Sequence, residues 1–93
     1  MSLGVAIVTG SAQGIGKAIA IRLALDGYDI GLNDIPGKKE ALASAANEIQ
    51  QLGRRVVVVP ADVTHEAEVE EMVNHTVQEL GRLDVVGLSM LSA

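Results

Sequence analysis

The chain has 93 residues, too few for more than one domain, and 48% of them are hydrophobic, which sets aside a disordered chain. A net charge of −5 and a single aromatic residue offer neither the basic face nor the stacking platform that nucleic acid needs, and no net positive charge for an anionic membrane surface. Cysteine is absent, so a disulfide framework and a thiolate metal site are both excluded, and the core has to be built from Ala, Val, Ile and Leu.

Leu3 to Thr9 is a continuous apolar run, rich in β-branched residues and closed by Gly10. That is the pattern of a strand buried on both faces of a parallel sheet. The strand begins almost at once, with no signal-peptide pattern, and no apolar run is long enough for a membrane-spanning helix. The expectation is a cytoplasmic protein. Ile15 to Leu25 reads as a helix, with Ile15, Ile19 and Leu23 at i, i+4 and i+8, Ala18 thickening the same face, and Gly27 as C-terminal cap.

Tyr28 to Asn33 is a second, weaker strand with Asp34 at its end, and Ile35-Pro36-Gly37 breaks the chain. Lys38 to Leu52 is a second helix whose stripe is Leu42, Ala45, Ala46, Ile49 and Leu52, capped by Gly53. Arg54 to Pro60 holds Val56-Val57-Val58-Val59, the strongest strand signal in the chain. After the Ala61-Asp62-Val63 loop, Thr64 is placed to cap a third helix, with Glu66 and Glu68 in its first turn. Val69, Met72, Val73, Thr76, Val77 and Leu80 form its stripe, and Gly81 ends it. Leu83 to about Leu88 is a fourth strand, and Ser89 to Ala93 carry no clear pattern.

Strands alternating with helices of this length imply βαβ units. Residues 1–93 therefore read as one α/β domain, a Rossmann-like parallel sheet of about four strands in the order 3-2-1-4 with three helices. The first two helices should cover one face and the third part of the other. There is no internal repeat beyond this unit, no linker and no low-complexity tract.

The chemistry concentrates on the turn between the first strand and the first helix, where the spacing is Gly10-x-x-x-Gly14-x-Gly16. Glycines let backbone approach a ligand closely, and a helix start presents unpaired N–H groups and a positive dipole end to phosphate. Gly10, Ser11, Gln13, Gly14, Ile15 and Gly16 are thus candidates for a dinucleotide cradle. A nucleoside-triphosphate loop needs four residues before its Gly-Lys pair and a hydroxyl after it; here there are five before Gly16-Lys17, and Ala18 follows. Lys17 is read as a solvated first-turn lysine. Asp34 is placed to accept from ribose hydroxyls and to repel a 2′-phosphate, which favours NAD over NADP. Lys38 and Lys39 are read as a solvated helix start. Asp62 and Val63 lie at the strand edge where open α/β sheets bind ligands. His65 and His75 have no partner at metal-ligand spacing and read as exposed helix residues, and Glu68, Glu70 and Glu71 as a solvated face. No metal site is expected.

Thr9 to Gly16 resembles the TGxxxGIG cofactor motif of the short-chain dehydrogenase/reductase family. Asp34 matches the acidic position of that family's NAD-preferring members, Asp62-Val63 the pair that holds the adenine ring, and Gly81 to Val85 the stretch leading into its fourth strand. Within the family, Gly14 to Gly27 and Asn33-Asp34 resemble diacetyl (acetoin) reductases. The resemblance runs to about residue 86. Beyond it the family's Asn-Asn-Ala-Gly is replaced by Val86-Gly87-Leu88-Ser89-Met90, and its catalytic Ser and Tyr-x-x-x-Lys come later than this chain extends. The one tyrosine, Tyr28, has Leu32 rather than lysine four places on. The resemblance implies the NAD(P)-binding half of an oxidoreductase, truncated relative to the family and with no catalytic residue of its own. The alternative is a non-catalytic module that pairs with a full-length relative through the exposed fourth-strand edge beside Val85, Val86, Leu88 and Leu91.

Overall fold

The computed structural model describes residues 2–88. Strand β1 (Gly4–Thr9) is buried along its whole length because a neighbour lies on each side of it. β2 (Tyr28–Leu32) runs parallel to it, with Gly4 opposite Tyr28 and Val8 opposite Leu32. On the other side is β4 (Val85–Leu88), with Ala6 opposite Val85. The third strand, β3 (Val56–Val58), pairs with β2, and Ile30 faces Val56. All pairs are parallel and the order is β3-β2-β1-β4, as the alternation of elements predicted.

Successive strand residues point to opposite faces. Ala6, Val8, Ile30 and Leu32 face α1 (Gly14–Asp26) and α2 (Lys39–Gln51), which bring Ala20, Ala24, Leu42, Ala45 and Ile49. Ile7 faces the other way and packs with Val59, Ala61 and Met72 of α3 (Glu66–Leu80). A side chain at Gly31 would place its Cβ 3.1 Å from Ile7 and 3.3 Å from the Thr76 hydroxyl, so this glycine lets α3 close on the sheet. Thr76 keeps its buried hydroxyl satisfied by donating to the Met72 carbonyl at 2.9 Å.

Two ion pairs lock the strand starts. Asp84 accepts from the Val5 N–H at 2.9 Å and from Arg82 at 2.8 and 2.7 Å, and Arg82 first, then Val5, holds its carboxyl below the usual range. Burial pushes the Asp29 carboxyl up, but the Arg55 N–H, the Ser2 hydroxyl and the Arg55 guanidinium outweigh it and leave it below its ordinary value. Arg55 also donates to the Leu80 carbonyl at 3.0 Å and so finishes α3.

Several expectations are corrected. The first helix does not bury Ile15, Ile19 and Ala18: Ile15 is 76% exposed, Ile19 is 39% exposed and Ala18 is exposed, whereas Leu23 of the same row is half-buried against the core. Its buried row is Gly16, Ala20 and Ala24, one position on, because small side chains let the helix axis ride close to β1 and β2. Leu52 and Val77 are exposed although both lie on expected stripes. Residues Val56 to Val58 are only half-buried, since β3 is a sheet edge, and the strand is shorter than the apolar run. Thr64 does not cap α3. The position preceding the helix is His65, and no side chain caps there.

Candidate functional site

The glycine turn needs its glycines. Gly10 and Gly14 have φ of 64° and 63°, in the left-handed region that side chains disfavour. Gln13 precedes α1 in an extended conformation, its side chain caps nothing, and no acid stands in the helix's first turn. The first N–H groups of α1 are therefore left for an external acceptor, and the dipole there favours an anion. Gln13, Gly14 and Ile15 are exposed, whereas Gly16 is buried as the first residue of the close-packed row.

Ser11 is placed differently. It is fully buried; its N–H and hydroxyl donate to the Asn33 carbonyl at 2.8 and 3.2 Å, and its hydroxyl accepts from the Asn33 N–H at 3.0 Å. The turn is thereby stitched to the end of β2. Asn33 extends the stitch, donating from Nδ2 to the carbonyls of Val59 at 2.8 Å and Ala61 at 3.4 Å. No role was expected of Asn33; the available signal was a polar residue closing an apolar strand just before an acid.

Asp34 stands against the turn. Its carboxylate accepts from the Ala12 N–H at 3.2 Å and from the Ile35 N–H at 2.8 Å, and its carbonyl accepts from the Ala61 N–H at 3.0 Å. The ends of β1, β2 and β3 thus meet at one edge of the sheet, bringing Gly10–Gly16, Asp34 and the Asp62 loop into one neighbourhood. That is the edge at which open parallel sheets bind ligands.

In that loop Val63 is half-buried, and Asp62 accepts at one oxygen from both the Thr64 N–H at 2.9 Å and the Thr64 hydroxyl at 2.6 Å. The Thr64 hydroxyl, then its N–H, holds the Asp62 carboxyl below the usual range. Glu68 is not a merely solvated acid: it accepts from the Asp62 N–H at 2.9 Å and lies 2.8 Å from His65 Nδ1. The Asp62 N–H, then His65, lowers Glu68, and the Glu68 hydrogen bond, then Asp62, raises His65.

Lys17 is not simply solvated either; it forms an ion pair with Glu48 of α2. A cavity of about 250 Å³ between β3 and α3, lined by Pro60, Ala61, Glu71, Met72 and His75 among others, lies apart from the glycine turn. Among the described residues no cluster of three His, Cys, Asp or Glu can hold a metal, and no helix is long and apolar enough to cross a membrane.

Comparison with known proteins matches this geometry to one family. The short chain dehydrogenase family matches residues 4–88. A short-chain dehydrogenase/reductase of Hericium erinaceus is 51% identical over 85 residues, covering 89% of this chain and 34% of that protein. A diacetyl reductase [(S)-acetoin forming] of Staphylococcus epidermidis is 44% identical over 81 residues, covering 87% of this chain and 31% of the relative. Among solved structures, carveol dehydrogenase from Mycobacterium avium in complex with NAD superposes with a TM-score of 0.86 at 34% identity, over 92% of this chain and 35% of that one. A blue fluorescent protein from a metagenomic library, in complex with NADPH, does so with a TM-score of 0.85 at 36% identity, over 91% and 35%. The chain therefore spans about a third of the length of the proteins it matches, corresponding to their N-terminal part. With its glycine turn, strand-end acid and sheet order, this chain belongs to the short chain dehydrogenase family.

Proposed function

We propose that residues 1–93 form the dinucleotide-holding domain of a short-chain dehydrogenase/reductase, with NAD preferred over NADP. The observation that carries this reading is the position of Asp34, whose carboxylate is hydrogen-bonded to Ala12 inside the glycine turn. The acid that reads the ribose and the cradle for the pyrophosphate are thereby neighbours. Backbone N–H groups of Gly14, Ile15 and Gly16 hold the pyrophosphate, and Gly10 and Gln13 shape its approach. Asp34 accepts from the adenosine ribose hydroxyls and repels a 2′-phosphate. Asp62 and Val63 receive the adenine. Ser11 serves the site through Asn33, by fixing the turn.

A bound nicotinamide dinucleotide supplies hydride transfer; this chain's own residues supply only its grip and orientation, and no catalytic residue is assigned among them. The reading includes a cytoplasmic setting, where free dinucleotide is available. It also includes association through the outer side of β4.

Calorimetric titration with NADH, NADPH and magnesium-ATP tests the site. NADH should bind, NADPH about tenfold more weakly or worse, and both should be lost on Gly14→Val. Equal affinity for NADPH would remove the Asp34 argument, and tight magnesium-ATP binding would sink the dinucleotide reading.

A further inference from the structure

The loop assigned to the adenine end is held by an ionisable pair outside the site itself. Glu68, in the first turn of α3, reaches back so that one oxygen accepts the Asp62 N–H at 2.9 Å. Its other oxygen lies 2.8 Å from His65 Nδ1. His65 in turn gives its backbone N–H to the Asp62 carbonyl at 3.0 Å. Asp62 has one carboxylate oxygen committed to Thr64, and its other oxygen lies 3.8 Å from His65 Nδ1. The turn that presents Asp62 and Val63 is therefore closed by a ring of contacts through Glu68 and His65.

We propose that His65 and Glu68 are positioning residues for the cofactor, holding the Asp62–Val63 turn in its adenine-receiving shape most firmly when His65 carries its proton. The proposal rests on the dinucleotide reading above. Its physical basis is charge. Protonated His65 lies between two carboxylates and cancels their mutual repulsion; neutral imidazole keeps at most one hydrogen bond and leaves Asp62 and Glu68 repelling across the turn. The charged groups within ion-pair reach of His65 among the described residues are Asp62 of the loop and Glu68 of α3, and no other element contributes one. The Glu68 hydrogen bond, then Asp62, raises His65 from its ordinary value, so its change in charge falls in a range above that of an isolated imidazole. Dinucleotide affinity should then weaken as pH rises through that range.

The chain contains only two histidines, and His75, farther along α3, is an internal reference for His65. NMR titration of both imidazoles and of the Asp62 amide, without and with saturating NADH, reads the coupling directly. In the free protein the Asp62 amide should titrate with the His65 midpoint, and Glu68→Gln should lower that midpoint and uncouple the amide. With NADH bound the His65 midpoint should rise, the reciprocal of tighter binding to the protonated form. Calorimetry between pH 6.5 and 9 should show NADH affinity falling about fivefold in the unmodified chain and staying flat in both His65→Asn and Glu68→Gln. An Asp62 amide blind to His65, or the same pH slope in both variants, overturns the proposal while NADH binding itself preserves the dinucleotide reading. Failure to bind NADH at any pH overturns both.

Discussion

Asn33 carries more of this fold than its place at the end of a weak strand suggests. It is 1% exposed, and its backbone and amide join β1, the glycine turn and the end of β3 through Val8, Ser11, Val59 and Ala61. Removing the amide leaves buried carbonyls without their donor, a cost of about 1–3 kcal/mol. Asn33→Ala should therefore lower the denaturation midpoint by that equivalent, while Asn47→Ala on the exposed face of α2 should move it by less than about 0.5 kcal/mol. Equal effects would show that the stitch is ornamental. At this scale the glycine turn and the strand-end acid were legible in the sequence, because both are local features. It hid the Asn33 stitch, whose partners are brought near only by the sheet, and the Glu68 contacts, whose partners lie three and six positions back and meet it only once the loop and the first turn of α3 have formed.

The helices differ in how well their faces could be read. In α2 and α3 the apolar stripe alternates with polar residues, and Leu42, Ala45, Ile49, Met72, Thr76 and Leu80 are buried as their spacing indicates. α1 has apolar residues on nearly every side, so its periodicity has no direction. Side-chain size pointed to the isoleucine row, but closeness to the sheet selected Gly16, Ala20 and Ala24. Two variants separate these rows in a melting experiment. Ala20→Leu should destabilise by about 1–3 kcal/mol through overpacking, and Ile15→Ala should cost less than about 0.5 kcal/mol. The reverse ranking would restore the isoleucine row as the buried face.

For the whole molecule, no strand among the described residues pairs with the outer side of β4, where Val85 is 41% and Val86 48% exposed. Leu91, expected beside them, lies outside the described residues. Ile15 and Ile19 add exposed apolar surface on α1. An edge strand presents unpaired backbone groups, and this one has no lysine to discourage pairing. Sedimentation velocity should show concentration-dependent association of the chain, reduced by Val86→Lys. A soluble monomer that unfolds cooperatively at every concentration would count against association through this edge.

The order of strands and helices, the parallel sheet and the glycine turn follow from the sequence alone, since each rests on periodicity, propensity or backbone freedom within a few residues. The buried row of α1, the Asn33 stitch, the Lys17–Glu48 pair and the Asp84–Val5 lock emerge only on folding. Val5 and Asp84 are 79 positions apart, and nothing local in either one names the other. Their contact exists because right-handed crossovers return β4 to the side of β1, where a carboxylate at its start meets an N–H that the ladder leaves without a partner.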